Sequence, residues 1–120
     1  MRYTIIPDPD FEKDLKEFKK EIRTKLVKSL NDFLVENPLI TINNRWEIIY
    51  KNKDNSKQLW KYKQKKQIGN IEPYRAFFLF LKKENSFIEY IIYKRKNFNK
   101  QNFKNNIEKR ISYIKSKIDN

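Results

Sequence analysis

The sequence contains no cysteine and no histidine, a single glycine and four prolines. Without cysteine there are no disulfides and no thiolate metal sites. Without histidine the commonest metal ligand and the commonest general base are also missing. Serine-type triads and zinc-hydrolase mechanisms are therefore excluded. Gly69 stands alone, so no glycine-rich phosphate loop can form. No apolar run approaches the roughly 18 residues needed to span a bilayer, and residues 1 to 6 are too short for a signal-peptide core. The expectation is a cytoplasmic protein with no membrane partner.

What is abundant is positive charge. Lys and Arg number 28 against 15 Asp and Glu, a formal +13, with 38% hydrophobic and 15% aromatic residues. That apolar content is enough to bury a core, and 120 residues suit one domain. A field of this strength attracts polyanions such as nucleic acid. Coding bias toward Lys, Asn and Ile also raises such counts, so charge names a class of partner and no member of it.

Periodicity predicts the elements. The β-branched and aromatic residues 2 to 6 read as a strand ending at Pro7 and Pro9. Asp10 is the expected cap of the next helix, with Glu12 and Asp14 complementing its dipole. Phe11, Leu15, Phe18, Ile22, Leu26, Leu30 and Phe33 then form one helical stripe, running to Asn37 and Pro38. One bent helix and a hairpin turning near residues 19 to 21 both fit. Residues 39 to 58 read as a loop with a possible short strand at 46 to 50. Strands follow at 59 to 64, 74 to 81 and 87 to 93, the last two joined as an antiparallel hairpin. Asn99 or Asn102 opens a last helix with Phe103, Ile107, Ile111, Ile114 and Ile118 on one stripe and Lys100, Lys104, Lys109 and Arg110 toward solvent. The expected fold is α+β: a small antiparallel or mixed sheet of about four strands, an N-terminal helix or helix hairpin packed on it, and a C-terminal helix.

Alternation puts Lys61 and Lys63 on one face of their strand, about 7 Å apart, with Trp60 and Tyr62 on the other. Arg75 begins an otherwise apolar strand, and Arg95 follows directly on another. RNA cleavage without histidine needs a base for the 2′-hydroxyl, a cation for the phosphorane and an acid for the leaving oxygen. Lys and Arg can serve all three if crowding lowers one lysine pKa.

Trp60-Lys61-Tyr62-Lys63, then Pro73-Tyr74-Arg75, then Tyr93-Lys94-Arg95-Lys96 resemble the pattern of the RelE/ParE toxin superfamily, as does the helical segment ending at Glu36-Asn37-Pro38. RelE-type members cleave mRNA in the ribosomal A site, and ParE-type members inhibit DNA gyrase. The resemblance implies the toxin of a toxin-antitoxin pair, with mRNA and ribosome as partners and no small-molecule cofactor. It also implies an acidic antitoxin that wraps the basic surface and covers or displaces the C-terminal helix. By resemblance Lys61, Lys63, Arg75 and Arg95 fall on catalytic positions, with Lys63 as general base, Arg75 on the phosphate and Arg95 near the leaving group. Arg45, Lys51, Lys53, Lys94, Lys96, Phe98, Lys100 and Phe103 are the expected RNA-binding residues. The family places a tyrosine in its C-terminal segment that helps orient the reacting nucleotide, and here the nearby aromatics are Phe98 and Phe103. Gyrase inhibition and noncatalytic nucleic-acid binding are the alternatives.

Overall fold

The computed structural model describes residues 3–35 and 46–120. Its elements are β1 (Thr4–Pro7), α1 (Pro9–Leu15), α2 (Lys20–Val35), β2 (Trp46–Lys51), β3 (Lys57–Gln64), β4 (Tyr74–Leu81), β5 (Ser86–Lys94) and α3 (Gln101–Asp119), with a 3-10 segment at Arg95–Asn99 before α3. The sheet has five strands in the order β1-β5-β4-β3-β2. The expected α+β class holds, and the strand count rises from about four to five because Trp46–Lys51 pairs with β3. Among the described strands only β1 against β5 is parallel.

Each face of the sheet has its own core. On one, Trp60, Tyr62, Tyr74, Phe78, Phe80 and Phe87 meet Phe11, Phe18, Ile22, Leu26, Leu30 and Leu34 from α1 and α2. Trp46 and Trp60 stack there with centroids 4.1 Å apart. On the other, Leu59, Phe77, Leu79 and Ile91 meet Ile107, Ile114 and Ile118 of α3. The uninterrupted apolar run of β4 follows from burial on both sides.

The N-terminal helical stretch is a pair of helices. Arg23 bridges the break, its Nε donating to the Phe18 carbonyl at 2.8 Å and its Nη2 to the Lys16 carbonyl at 3.0 Å. These bonds satisfy carbonyls that the end of α1 leaves open. The cap is Asp8 and not Asp10: the Asp8 carboxylate accepts from the Asp10 amide at 3.0 Å, and Pro9 takes the first helical position, where a missing N–H costs nothing. α3 starts at Gln101, two residues after Asn99 and one before Asn102, with no side-chain cap bond. The expected helix end at Asn37 and Pro38, with Glu36 and Arg45, lies outside the described residues.

Two charged residues differ from expectation. Asp14 lies in the last turn of α1 and makes a bidentate ion pair with Arg110 of α3, both bonds 2.9 Å. Its carboxylate also accepts from the Ile92 amide at 3.0 Å, while Arg110 donates to the Tyr90 carbonyl at 2.8 Å. Arg110 is thus partly buried and does not join the solvent face of α3. Burial raises the Asp14 carboxyl above its usual range, opposed by the Arg110 and Ile92 bonds.

Asp14→Ala strands the guanidinium and the Ile92 amide together, so we expect a loss of about 2 to 3 kcal/mol in urea unfolding. The Asp14→Ala/Arg110→Ala double variant should lose less than the sum of the singles. A second test concerns Glu89, 1% exposed on β5, whose Oε2 has no hydrogen-bond partner. Burial pushes its carboxyl up from 4.5 to about 7. A raised folded pKa means that this stabilisation is complete below the unfolded value and disappears as pH rises through about 7. The wild type should lose on the order of 3 kcal/mol between about pH 4.5 and pH 8 relative to Glu89→Gln, measured by urea midpoints across that range.

Candidate functional site

The α3 face of the sheet is apolar at one end and cationic at the other. α3 crosses it from Tyr93, met by Phe103 of the first turn, to β2 and β3, where Tyr50 donates to Asp119 at 2.6 Å and Lys57 to the Asn120 carbonyl at 2.8 Å. Lys61, Lys63 and Arg75 remain partly exposed. Register fixes their neighbours: Lys63 lies opposite Arg75, which lies opposite Tyr93, and Lys61 lies between Glu47 and Phe77. Arg95 follows at the start of the 3-10 segment, exposed and close enough to Arg75 for their charges to interact. The four cations expected to act together are therefore neighbours.

Like charges opposite one another on paired strands are destabilising, so packing alone gives no reason for Lys63 opposite Arg75. The cations differ in how they are held. Lys63 pairs with Glu47 at 3.3 Å. The Arg75 guanidinium donates to the carbonyls of Tyr74 at 3.0 Å and Gln64 at 3.3 Å, which fixes its plane. Lys61 has no carboxylate partner among the described residues, and its ammonium lies 5.7 Å from the centre of the Phe77 ring. Burial, then the charges of Lys63 and Arg75, lower the Lys61 pKa, with Glu47 opposing. Burial also lowers that of Arg75, reinforced by Arg95.

The expected RNA-binding residues separate into groups. Lys96, Phe98 and Lys100 lie beside the cluster on or just after the 3-10 segment, and Phe103 follows in α3. Both phenylalanines pack on Tyr93, Phe98 stacked at 5.4 Å and Phe103 edge-on at 5.4 Å. Lys94 points to the opposite face, above Phe18 and paired with Glu72 at 3.4 Å. Lys51 and Lys53 lie at the far end of β2 and in the turn after it; Lys51 is opposite Gln58, about 17 Å along the strand from Lys63.

Sequence reasoning missed Glu47, Glu72 and Tyr93. Glu47 lay in a segment read mainly as loop. Glu72 pairs with Lys96 at 3.0 Å as well as with Lys94, and these bonds hold its carboxyl below the usual range. Tyr93 could have been found by pairing β4 against β5, which sets it beside Arg75. Burial pushes its hydroxyl up to about 12, against the effect of Arg75. Among the described residues no group of His, Cys, Asp and Glu could hold a metal ion, and no helix is long and apolar enough to cross a membrane.

No protein-family model matches the chain, and no curated protein matches it in sequence. Solved structures do match. The RelBE2 toxin-antitoxin complex of Mycobacterium tuberculosis aligns at a TM-score of 0.54 and 14% identity, over 79% of this chain and 100% of that one. The archaeal RelE-RelB complex of Pyrococcus horikoshii aligns at 0.55 and 14%, over 79% and 97%. A variant of the E. coli toxin RelE in the free state aligns at 0.53 and 18%, over 81% and 87%. The chain has the RelE toxin fold.

Lys61 should titrate below the ordinary lysine range, read from the pH dependence of its side-chain carbon shifts in lysine-labelled protein. Lys63→Met removes a neighbouring cation and should raise that pKa. An unperturbed Lys61 in the wild type would contradict crowding by Lys63 and Arg75.

Proposed function

We propose that the protein is the toxin of a toxin-antitoxin pair and inhibits translation by cleaving mRNA on the ribosome. The observation that supports this reading is the convergence of Lys61, Lys63, Arg75 and Arg95 on one open corner of a RelE-type sheet. In the proposed reaction the 2′-hydroxyl of the bound nucleotide gives its proton to a neutral lysine amine. The resulting oxyanion attacks the adjacent phosphorus, and the 5′-oxygen leaves with a proton, yielding a 2′,3′-cyclic phosphate.

Lys63 is the general base expected from the resemblance, and the surroundings of the two lysines support Lys61 in that role instead. Lys61 is half-buried and crowded by cations, which favours the neutral amine, whereas Lys63 is paired with Glu47. Arg75, held by two carbonyls, suits the phosphorane, because its orientation costs nothing when charge develops. Arg95, exposed and adjacent, suits the leaving group; Lys63 adds positive potential beside Arg75. Lys96 and Lys100 suit the flanking phosphates. RelE is bound to RelB in the archaeal complex, and the +13 charge here suits an antitoxin with an acidic binding segment.

Purified protein added to a reconstituted translation reaction should produce new mRNA 5′ ends by primer extension, absent from a ribosome-free control. Arg75→Ala should reduce cleavage by about 100-fold or more while leaving the circular dichroism spectrum unchanged. Undiminished cleavage in that variant would remove Arg75 from the site, and intact mRNA with the wild type would overturn the reading.

A further inference from the structure

Among the described residues, Glu47 is the only acid paired with one of the four corner cations. It stands on β2, an edge strand of the sheet. Trp46 fixes its direction. That ring is buried, stacks on Trp60 at 4.1 Å and belongs to the core beneath α1 and α2, so alternation turns the next side chain to the face of Lys61 and Lys63. Glu47 lies directly opposite Lys61, yet its Oε1 reaches diagonally to the Lys63 ammonium at 3.3 Å. Offsetting the repulsion among the cations explains a carboxylate near them. It does not explain why the carboxylate takes the lysine beside Arg75 and passes over the one that faces it.

Arg75 stands across β4 from Lys63, so the two cations together form the natural grip for one phosphate. A phosphate held there would share the Lys63 ammonium with a second anion, and the two anions repel. Phosphate and Glu47 therefore compete for Lys63. The side chains of the pair are 27% and 48% exposed, and an ion pair so open to solvent is weak enough to exchange. Tethering decides the competition. Glu47 is held beside Lys63 by its strand and acts at a high effective concentration, as does a phosphate on RNA already fixed by contacts elsewhere; a phosphate on freely diffusing RNA has no such advantage.

We propose that Glu47 is a gate on the cationic corner, a tethered carboxylate that occupies Lys63 in place of an RNA phosphate and makes the corner reject free RNA in favour of RNA delivered in position. The inference rests on the RNA reading above and adds to it a residue that restrains the site. In a simpler account Glu47 only lowers the positive potential of the surface. Its removal would then strengthen RNA binding by the same factor whether or not Lys63 is present.

The test measures binding of free RNA, which needs neither ribosome nor cleavage. Fluorescently labelled 2′-O-methyl oligouridine hexamers are titrated with the full chain by anisotropy at a series of salt concentrations. Glu47→Gln should bind about tenfold more tightly than the wild type at low salt, and its log-log salt dependence should steepen by about 0.7, the increment for one further phosphate contact on a single strand. Glu47→Ala should behave in the same way. In a Lys63→Gln background, Glu47→Gln should change the affinity by less than about twofold. Wild-type binding that neither Glu47 variant strengthens overturns the gate and leaves the RNA reading standing. An equal gain with and without Lys63 overturns the exchange at Lys63, and the gate with it. Failure of every variant to bind at low salt overturns the gate together with the reading it rests on.

Discussion

The arrangement of this molecule depends on how the outer edge of β5 is closed. β1 covers that edge only as far as Glu89, because the chain turns into α1 after Pro7. Beyond it, the Ile92 N–H and the Tyr90 carbonyl would be left open at an edge packed against helices, where unpaired backbone groups are costly. Asp14 accepts from the first and Arg110 donates to the second, and the two side chains then pair with each other. One clasp thereby joins α1, β5 and α3, that is, both helical layers and the strand that carries Tyr93 and leads into Arg95. The ion pair is partly buried, and its value lies in satisfying backbone groups as well as in charge attraction.

From that anchoring follows the division of the α3 face. Because α3 is tied at Arg110 and ends beside Tyr50 and Lys57, it covers Leu59, Leu79 and Ile91 and leaves the corner of Lys61, Lys63 and Arg75 open. The cations gathered there repel one another, and the fold offsets part of that repulsion with Glu47, with the carbonyls of Gln64 and Tyr74, and with the ring of Phe77. Glu72 does the same for Lys94 and Lys96 on the neighbouring wall. The result is a graded set, from a lysine paired with a carboxylate to one without.

Much of this was legible in the sequence, for reasons of periodicity. A helical stripe of seven large apolar residues and an alternating strand with two lysines identify faces directly, and every buried position of α3 lies on the stripe read from sequence. β2 was only a possibility, because a six-residue edge strand followed by a polar turn carries little pattern of its own. Asp8 was overlooked as a cap because Asp10 is equally suited by type, and the position of Pro9 decides between them. Phe98 and Phe103 were read as RNA-binding residues, whereas Tyr93 already stacks on Phe98 and meets Phe103 edge-on.

The sequence by itself determined the charge, the lack of histidine and cysteine chemistry, the α+β order and the face on which each strand lysine stands. Tertiary structure alone decided which charges meet. Asp14 reaches its partners across 78 and 96 residues of chain, and Glu47, Lys63, Arg75 and Arg95 become neighbours only through strand register. Period says which way a side chain points, but not what stands opposite. The second is set by which strands pair and where each edge ends, and both are consequences of packing the whole chain at once.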